Sequence, residues 1–414
     1  MRFVHMADIH FDSPFTVLTS KSNLANIRRL EQREAFRKAI EYIKTQQIPF
    51  LFISGDLYEQ EYIRESTIEY INNLFKTIPE TKIFIAPGNH DPFLNNSFYN
   101  NYNWSKNVII FNGEIKRIEL EDVDIYGFGF SSFYCTDSKV DEIEIKNKNK
   151  INILITHGAL DASKTLDMQY NPINSNKLKK VGFDYVALGH IHKGNYKNNE
   201  NNFIYPGSLI SFGFDEPGEH GILDVEINKL NINNNLEKNK INNLNIYNNL
   251  EKIKINNSKI ENILKENKTE EENLQKDNLT NYNESDYTSK ILFVKMDNRM
   301  FEEKHINICD MNSEEELIEK VNEIEANDNK NYKIILTGER KIEINTQRIC
   351  KLTNNKNVIK VKDKSKIGFD FDRLADQKNL KGIFIKRMLK KLEDNPEQEE
   401  SIKRAMEIGL KLFE

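Results

Sequence analysis

The sequence predicts an α/β layered core followed by a smaller α+β unit. Three observations carry that prediction. Through residue 226, short apolar runs alternate with segments of helical spacing, the pattern of strands covered by helices. Between residues 230 and 290 the composition changes, with 18 Asn in 61 residues, no Pro and no Gly. From residue 291 patterned sequence resumes and ends in two amphipathic segments.

The elements follow in order. Residues 2–7 read as an apolar strand ending at Asp8. Residues 24–46 place Leu24, Ile27, Leu30, Ala35, Phe36, Ala39, Ile40 and Ile43 at helical spacing. Residues 48–54 are nearly continuous apolar sequence, the mark of a strand buried on both faces. Residues 63–76 read as helix and 81–86 as strand. Residues 108–111, 115–120 and 123–128 read as antiparallel strands divided by turns. Residues 151–156 and 183–188 are two more buried strands with a helical segment between them. Residues 202–205 and 220–226 close the region as strands.

The Asn-rich stretch buries too little apolar surface to offset its ordering entropy, so residues 229–290 are expected to be a disordered insertion. It separates an expected first domain, residues 1–228, from a second, residues 291–414. In the second, 291–296 reads as strand and 313–327 as helix. Residues 332–337 and 341–345 read as a hairpin around Gly338, and 358–361 as strand. Two helices follow. Leu380, Ile383, Phe384, Met388 and Leu392 mark one face of the first, and Ile402, Ala405, Met406, Leu410 and Phe413 one face of the second.

Composition excludes several classes of protein. Fifty-nine Lys+Arg against 64 Asp+Glu give a net charge of −5, which argues against a basic protein that coats nucleic acid. Three widely spaced cysteines form no CxxC, so a disulfide scaffold and a thiolate zinc site are not expected. The same cysteines make a reducing cytoplasm the simplest compartment. No apolar stretch reaches the roughly 18 residues of a membrane span, and no signal-peptide pattern opens the chain.

The chemistry is concentrated at strand ends. Asp8-Ile9-His10 follows the first strand, Gly55-Asp56 the second and Gly88-Asn89-His90-Asp91 the third. His157-Gly158 and Gly189-His190-Ile191-His192 follow the two later buried strands. In open α/β sheets ligands gather at the carboxyl ends of strands. Carboxylates, imidazoles and one amide are the donors of a hard-to-borderline divalent cation site. In Asp8-x-His10 and His190-x-His192, alternate side chains of extended backbone point the same way, so each pair faces one cavity. Seven such donors exceed the needs of one ion. They suit two, about 3.5–4 Å apart and sharing a carboxylate, as in two-metal hydrolases.

This order of motifs (DxH, GD, GNHD, H, GHxH) resembles the calcineurin-like metallophosphoesterases. The opening residues 5–15, HMADIHFDSPF, together with Tyr205-Pro206-Gly207-Ser208 and Gly218-Glu219-His220-Gly221, resemble the YhaO/SbcD-type DNA repair exonucleases within them. The resemblance implies a four-layer metallophosphoesterase β-sandwich flanked by helices, with a C-terminal capping domain. It implies that Asp8, His10 and His192 hold one ion, that Asn89, His157 and His190 hold the other, and that Asp56 bridges them. His90 is then catalytic without being a ligand, stabilising or protonating the leaving oxygen, and Asp91 orients it. The implied cofactors are two divalent metal ions, Mn²⁺ by family. The implied partners are DNA and an SbcC-like SMC-type ATPase, with a homodimer as a compatible assembly. Hydrolysis of small nucleotides or other phosphoesters, or a role chiefly as an ATPase subunit, are the alternatives.

Outside these motifs, His5 reads as a packed core histidine and His220 as a turn residue. Asp12 and Ser13 could hold a loop or meet substrate. The aromatic stretch 128–134 reads as core packing, with base stacking as the functional alternative. The basic residues Lys381, Lys386, Arg387, Lys390 and Lys391 read as a solvated helix face.

Overall fold

The computed structural model describes residues 1–15, 24–162, 170–197, 202–229, 279–284, 287–327, 329–340, 342–368 and 371–413. Two units divide the chain, Met1–Met300 and Phe301–Glu414.

The first unit runs β1 (Arg2–Met6), α1 (Leu24–Thr45), β2 (Phe50–Ile53), α2 (Glu65–Lys76), β3 (Lys82–Ile85), α3 (Phe98–Asn101), β4 (Val108–Ile110), β5 (Lys116–Glu119) and β6 (Val123–Gly127). It continues with β7 (Ile151–His157), α4 (Ser175–Val181), β8 (Tyr185–Gly189), β9 (Phe203–Ile204), β10 (Gly221–Lys229), β11 (Leu279–Glu284) and β12 (Tyr287–Lys295). One sheet has the order β11-β12-β10-β1-β2-β3-β4 and the other β5-β6-β7-β8-β9. Strands β1 to β4 pair in parallel, with Val4 opposite Leu51, Leu51 opposite Ile83 and Ile83 opposite Val108. Strands β6 to β9 are also parallel.

The sheets meet face to face. Phe3, Phe52 and Phe84 from one pack with Ile125, Ile153, Tyr185 and Ile204 from the other. The Phe3 and Tyr185 rings touch edge-on at 5.0 Å. Each fully buried side chain of this size contributes about 1.5–3 kcal/mol through removal from water. Because successive residues alternate faces, Val4, Met6, Leu51 and Ile53 point the other way. The apolar stripe of α1 is buried at Ala35, Phe36, Ala39, Ile40 and Ile43, and Phe36 contacts Phe75 of α2. On the far side of the second sheet, Leu154, Val186 and Leu188 cluster with Leu178 of α4. Helix, sheet, sheet and helix make the four layers expected.

The boundary between units differs from the sequence reading. Residues 230–278 of the Asn-rich stretch lie outside the described residues. Its end does not: Leu279–Glu284 and Tyr287–Lys295 are strands, and β12 pairs antiparallel along the whole of β10, from Gly221–Lys295 to Lys229–Tyr287. The strand expected to open the second domain at Ile291 therefore belongs to the first sheet. Its backbone polar groups are satisfied by β10, a partner remote in sequence.

The second unit contains β13 (Met300–Asn307), α5 (Glu314–Asn322), β14 (Lys330–Thr337), β15 (Glu339–Arg340), α6 (Thr346–Leu352), β16 (Val358–Asp363) and β17 (Lys366–Ile367). It ends with α7 (Phe371–Ala375), α8 (Leu380–Asp394) and α9 (Glu399–Lys411). The order β13-β14-β16 forms its main sheet, whose core includes Ile308, Leu317, Ile334, Leu336, Ile349 and Val358. The expected hairpin around Gly338 is absent among the described residues. β14 pairs in parallel with β16, and Glu339–Arg340 pairs in parallel with Lys366–Ile367. Gly338 sits at φ 91°, where it redirects the chain between these two ladders. Helices α7 to α9 bury Ile385, Ile402, Met406 and Leu410 together. Leu380 and Ile383, expected on the buried face, are exposed, and Ile385 is buried instead.

Candidate metal centre

The parallel order places the carboxyl ends of β1, β2 and β3 on one edge of their sheet, and those of β7 and β8 on one edge of the other. The segments that follow them meet. Ala7 forms an isolated parallel bridge with Ser208, and the Asp8, Ile9 and His10 amides donate to the carbonyls of Gly55 and Asp56. The backbone there is strained: Asp8 (φ 52°), His10 (φ 53°), Asp56 (φ 52°) and His190 (φ 108°) all adopt left-handed conformations without being glycine. Such outliers cost of order 1–3 kcal/mol each and persist where the surroundings over-determine them, typically at functional sites. Gly55 shares this region (φ 88°), and a Cβ on it would lie 2.4 Å from His157 Nδ1. At Gly88 a Cβ would lie 2.2 Å from Asp56 Oδ1, so the chain passes the carboxylate only without a side chain.

Three groups of donor atoms converge, each within 4.8 Å: Asp8, His10 and His192; His10, Asp56 and His90; and Asp8, Asp56 and His157. The hydrogen bonds show how the rings are set. His10 Nδ1 meets Glu59 Oε1 at 2.8 Å, and His192 Nδ1 meets Glu216 Oε1 at 2.5 Å. With those nitrogens donating to carboxylates, each ring in its neutral form presents its lone pair at Nε2. The two Nε2 atoms face each other across 3.1 Å. His157 behaves likewise. Its Nδ1 donates to the Ser54 carbonyl at 2.8 Å, leaving Nε2 beside Asn89 Oδ1 (3.0 Å) and Asp56 Oδ2 (3.3 Å). Sets of acceptors aimed at common points, each imidazole fixed from behind, are the donor chemistry of a metal centre. The residues therefore fit a pair of divalent cations.

The electrostatics agree. Burial opposes charge on His157, but the Asp56 and Asp8 carboxylates outweigh it and hold its pKa at about 9. Burial is likewise outweighed at His192, through Glu216 and Asp8, and at His90, through Glu59 and Asp56; both stand at about 9. Burial pushes Asp8 above the usual carboxylate range, whereas at Asp56 the surrounding imidazoles overcome burial and hold it well below. The carboxylates thus favour positive charge at this site, whether carried by protonated imidazoles or by bound cations.

His190 belongs to none of the three tight groups. Its ring lies 5.3 Å from that of His157, its amide donates to Asp8, and burial with the nearby His157 lowers its pKa to about 4. His90 is on the open side, its side chain 45% exposed, with Nδ1 held by Glu59 Oε2 at 2.8 Å. The expectation that Asp91 orients His90 is corrected by this contact. The Asp91 carboxylate is fully buried and accepts from the amides of Asp56, Leu57 and Gly88 and from the Tyr99 hydroxyl. It organises the two loops from beneath, and Glu59 holds the imidazole.

Glu59 and Glu216 escaped the sequence reading. Glu59 lies three residues after Asp56, a faint signal. Glu216 lies in the acidic loop Asp215-Glu216 with no strand before it. Its other oxygen accepts from Ser208 Oγ and the Phe212 amide. The same loop is anchored by fully buried Arg28, which donates to the Ser211 carbonyl and to Asp297. His220 bonds Ser208 and the Glu216 carbonyl, a supporting role. His5 lies in the core between Ser54 and Tyr185. Asp12 accepts from the Arg64 amide and Thr67 Oγ1 at the start of α2. A cavity of about 530 Å³ opens beside His190 and His192, lined also by Lys193, Tyr196, Lys197 and Glu219.

Residues 1–194 match the family model of the calcineurin-like phosphoesterases. This region is a calcineurin-like phosphoesterase domain. Domains of this family are metal-dependent hydrolases of phosphoester bonds with a dinuclear centre. The chain is 27% identical over 241 residues to the uncharacterized metallophosphoesterase YhaO of Bacillus subtilis, covering 55% of this chain and 57% of that one. It is 27% identical over 268 residues to the SbcD component of the SbcCD nuclease of Staphylococcus epidermidis, covering 56% and 67%. The corresponding component from Staphylococcus saprophyticus is 26% identical over 266 residues, with the same coverage. The match thus spans little more than half the length of YhaO. Among the described residues no helix of the phosphoesterase domain or the second unit is long and apolar enough to cross a membrane.

Proposed function

We propose that the chain is a two-metal, Mn²⁺-dependent phosphodiester hydrolase acting on DNA, an exonuclease of the repair type. The convergence of imidazole and carboxylate acceptors at the ends of parallel strands carries the reading of hydrolysis. The SbcCD nuclease components among its relatives favour a nucleic acid as substrate.

In this reading Asp8, His10 and His192 hold one cation, Asn89, His157 and His190 the other, and Asp56 both. Bound cations of this kind acidify water and offset charge on phosphoryl oxygens. The remaining work falls to the protein. Glu59 and Glu216 keep the His10 and His192 lone pairs pointed inward, and the Ser54 carbonyl does so for His157. Glu59 also holds His90 through Nδ1, leaving Nε2 to donate a proton to a leaving alkoxide. Asp91 keeps the loops carrying Asp56 and Asn89 in register.

Incubation with Mn²⁺ and labelled single- and double-stranded DNA, beside an Asp56→Ala control, tests the proposal. Metal-dependent cleavage lost in the control is expected, and absence of cleavage of every DNA refutes it. The cavity beside His192 and the net charge of −5 favour a second reading, hydrolysis of small nucleotides. Comparison of kcat/KM for DNA, cyclic nucleotides and bis-p-nitrophenyl phosphate separates the two. The SbcCD nuclease is by its name an assembly, which supports a partner for this chain, an SMC-type ATPase, and co-purification with such a protein tests that.

A further inference from the structure

We propose that Tyr170 and Tyr134 form a stacking platform for a nucleobase adjoining the scissile phosphate. The inference rests on the nucleic-acid reading above and specifies how the strand is held.

The aromatic stretch at residues 128–134 divides in two. Phe128 and Phe130 are buried, whereas Phe133 is 39% and Tyr134 60% exposed. The exposed part is not an isolated surface feature. The Tyr134 ring lies 6.2 Å from that of Tyr170, inclined by 31°, and the Tyr170 ring lies 5.1 Å from that of His190, inclined by 39°. The rings therefore step outward from a proposed ligand of the metal centre.

Their placement is fixed by the backbone. Cys135 and Tyr170 form a parallel bridge, and the Asn171 amide donates to the Cys135 carbonyl at 2.7 Å. The Asn171 side chain, 1% exposed, donates to the His157 carbonyl at 2.7 Å. The platform is thus tied to the end of the strand that supplies His157.

This position selects the occupant. Whatever stacks on this pair of rings, of which Tyr134 is the exposed member, sits beside the residues proposed to hold the cations, so it must be joined to the phosphate by a short link. A nucleobase meets this requirement. Stacking also tolerates every base, because each offers a π face. A base held in a duplex has its faces covered by neighbours, so the platform requires a single strand or a frayed end.

A double-mutant cycle tests the proposal, using the full chain with Mn²⁺. One axis is Tyr134→Ala. The other is replacement of each nucleotide flanking the scissile phosphate, in turn, by an abasic residue in a single-stranded oligonucleotide. In the unmutated chain the abasic change on one side is expected to lower kcat/KM by about 5- to 150-fold, the value of one stacked base. In Tyr134→Ala that sensitivity is expected to fall several-fold, and Tyr170→Phe, which keeps the ring, is expected to retain it. Equal losses on intact and abasic substrates assign the tyrosines a structural role and overturn the proposal. Unchanged cleavage of both substrates by Tyr134→Ala also overturns it, while leaving the nuclease reading intact. A chain that hydrolyses bis-p-nitrophenyl phosphate but no oligonucleotide overturns the nucleic-acid reading and the platform with it.

Discussion

Glu59 offers the sharpest separation between holding a metal and performing chemistry. Its two oxygens each take one imidazole at 2.8 Å, His10 on one side and His90 on the other. Glu59→Gln preserves the shape but removes one acceptor and adds an NH₂ donor, so only one of the two rings can keep its bond in the same tautomer. A hydrogen bond to a charged group is worth about 1.5–3 kcal/mol, or about 10- to 150-fold in an equilibrium. If His10 loses its support, the Mn²⁺ activation midpoint rises by about 10- to 100-fold, the usual effect of removing a carboxylate behind a ligating histidine. His90→Asn is the comparison. It is expected to lower kcat by about 10²–10⁴-fold, the range of general acid catalysis, with the midpoint unmoved. Activity against bis-p-nitrophenyl phosphate over a Mn²⁺ titration, with calorimetry of Mn²⁺ binding, reads both quantities. A Glu59→Gln protein with midpoint and turnover within about twofold of the parent refutes the assignment of Glu59, because the loss of even one charged hydrogen bond exceeds that.

Cation binding should also appear as stability. At a hundredfold excess over Kd, Mn²⁺ is expected to add about 2.7 kcal/mol, hence a Tm increase of several degrees that EDTA reverses and Asp56→Ala abolishes in scanning calorimetry. His5 gives the pH counterpart. Burial drives its pKa down to about 3, so below about 6.5 the unfolded chain binds a proton that the folded one refuses. This contribution is complete above pH 6.5 and declines on acidification toward pH 3, by up to about 1.4 kcal/mol per unit; His5→Gln should flatten that slope in urea unfolding between about pH 6 and 4.

The convergence of Asp8, His10, Asp56, His157 and His192 was legible because its geometry is local. A parallel strand delivers its carboxyl end to the same edge as its neighbours, so an apolar run followed by Asp-x-His or Gly-Asn-His carries both the residue type and its destination. What surrounds the ligands is fixed by contacts that sequence spacing does not encode. Asp91 has the right composition and the right loop, yet its carboxylate faces the backbone amides of another loop, while a glutamate from that loop takes the imidazole. Glu216 reaches His192 from 24 residues away through a loop whose course depends on Arg28 in α1 and Asp297 beyond β12. The same limit governs the domain boundary. Residues 279–284 and 287–290 are weakly apolar in isolation; the second segment becomes strand because β10 presents an edge that β12 completes, and the first because β12 presents the next edge to β11. In α8 the apolar periodicity is broad enough to allow two faces, and the packing of α9 selects the one with Ile385. Sequence thus locates the residues proposed as ligands, whereas the groups that aim them are chosen by tertiary contact. Substitutions among the aiming groups, Glu59 and Glu216 above all, are accordingly where chains sharing these five motifs can diverge in metal affinity and rate while every motif stays intact.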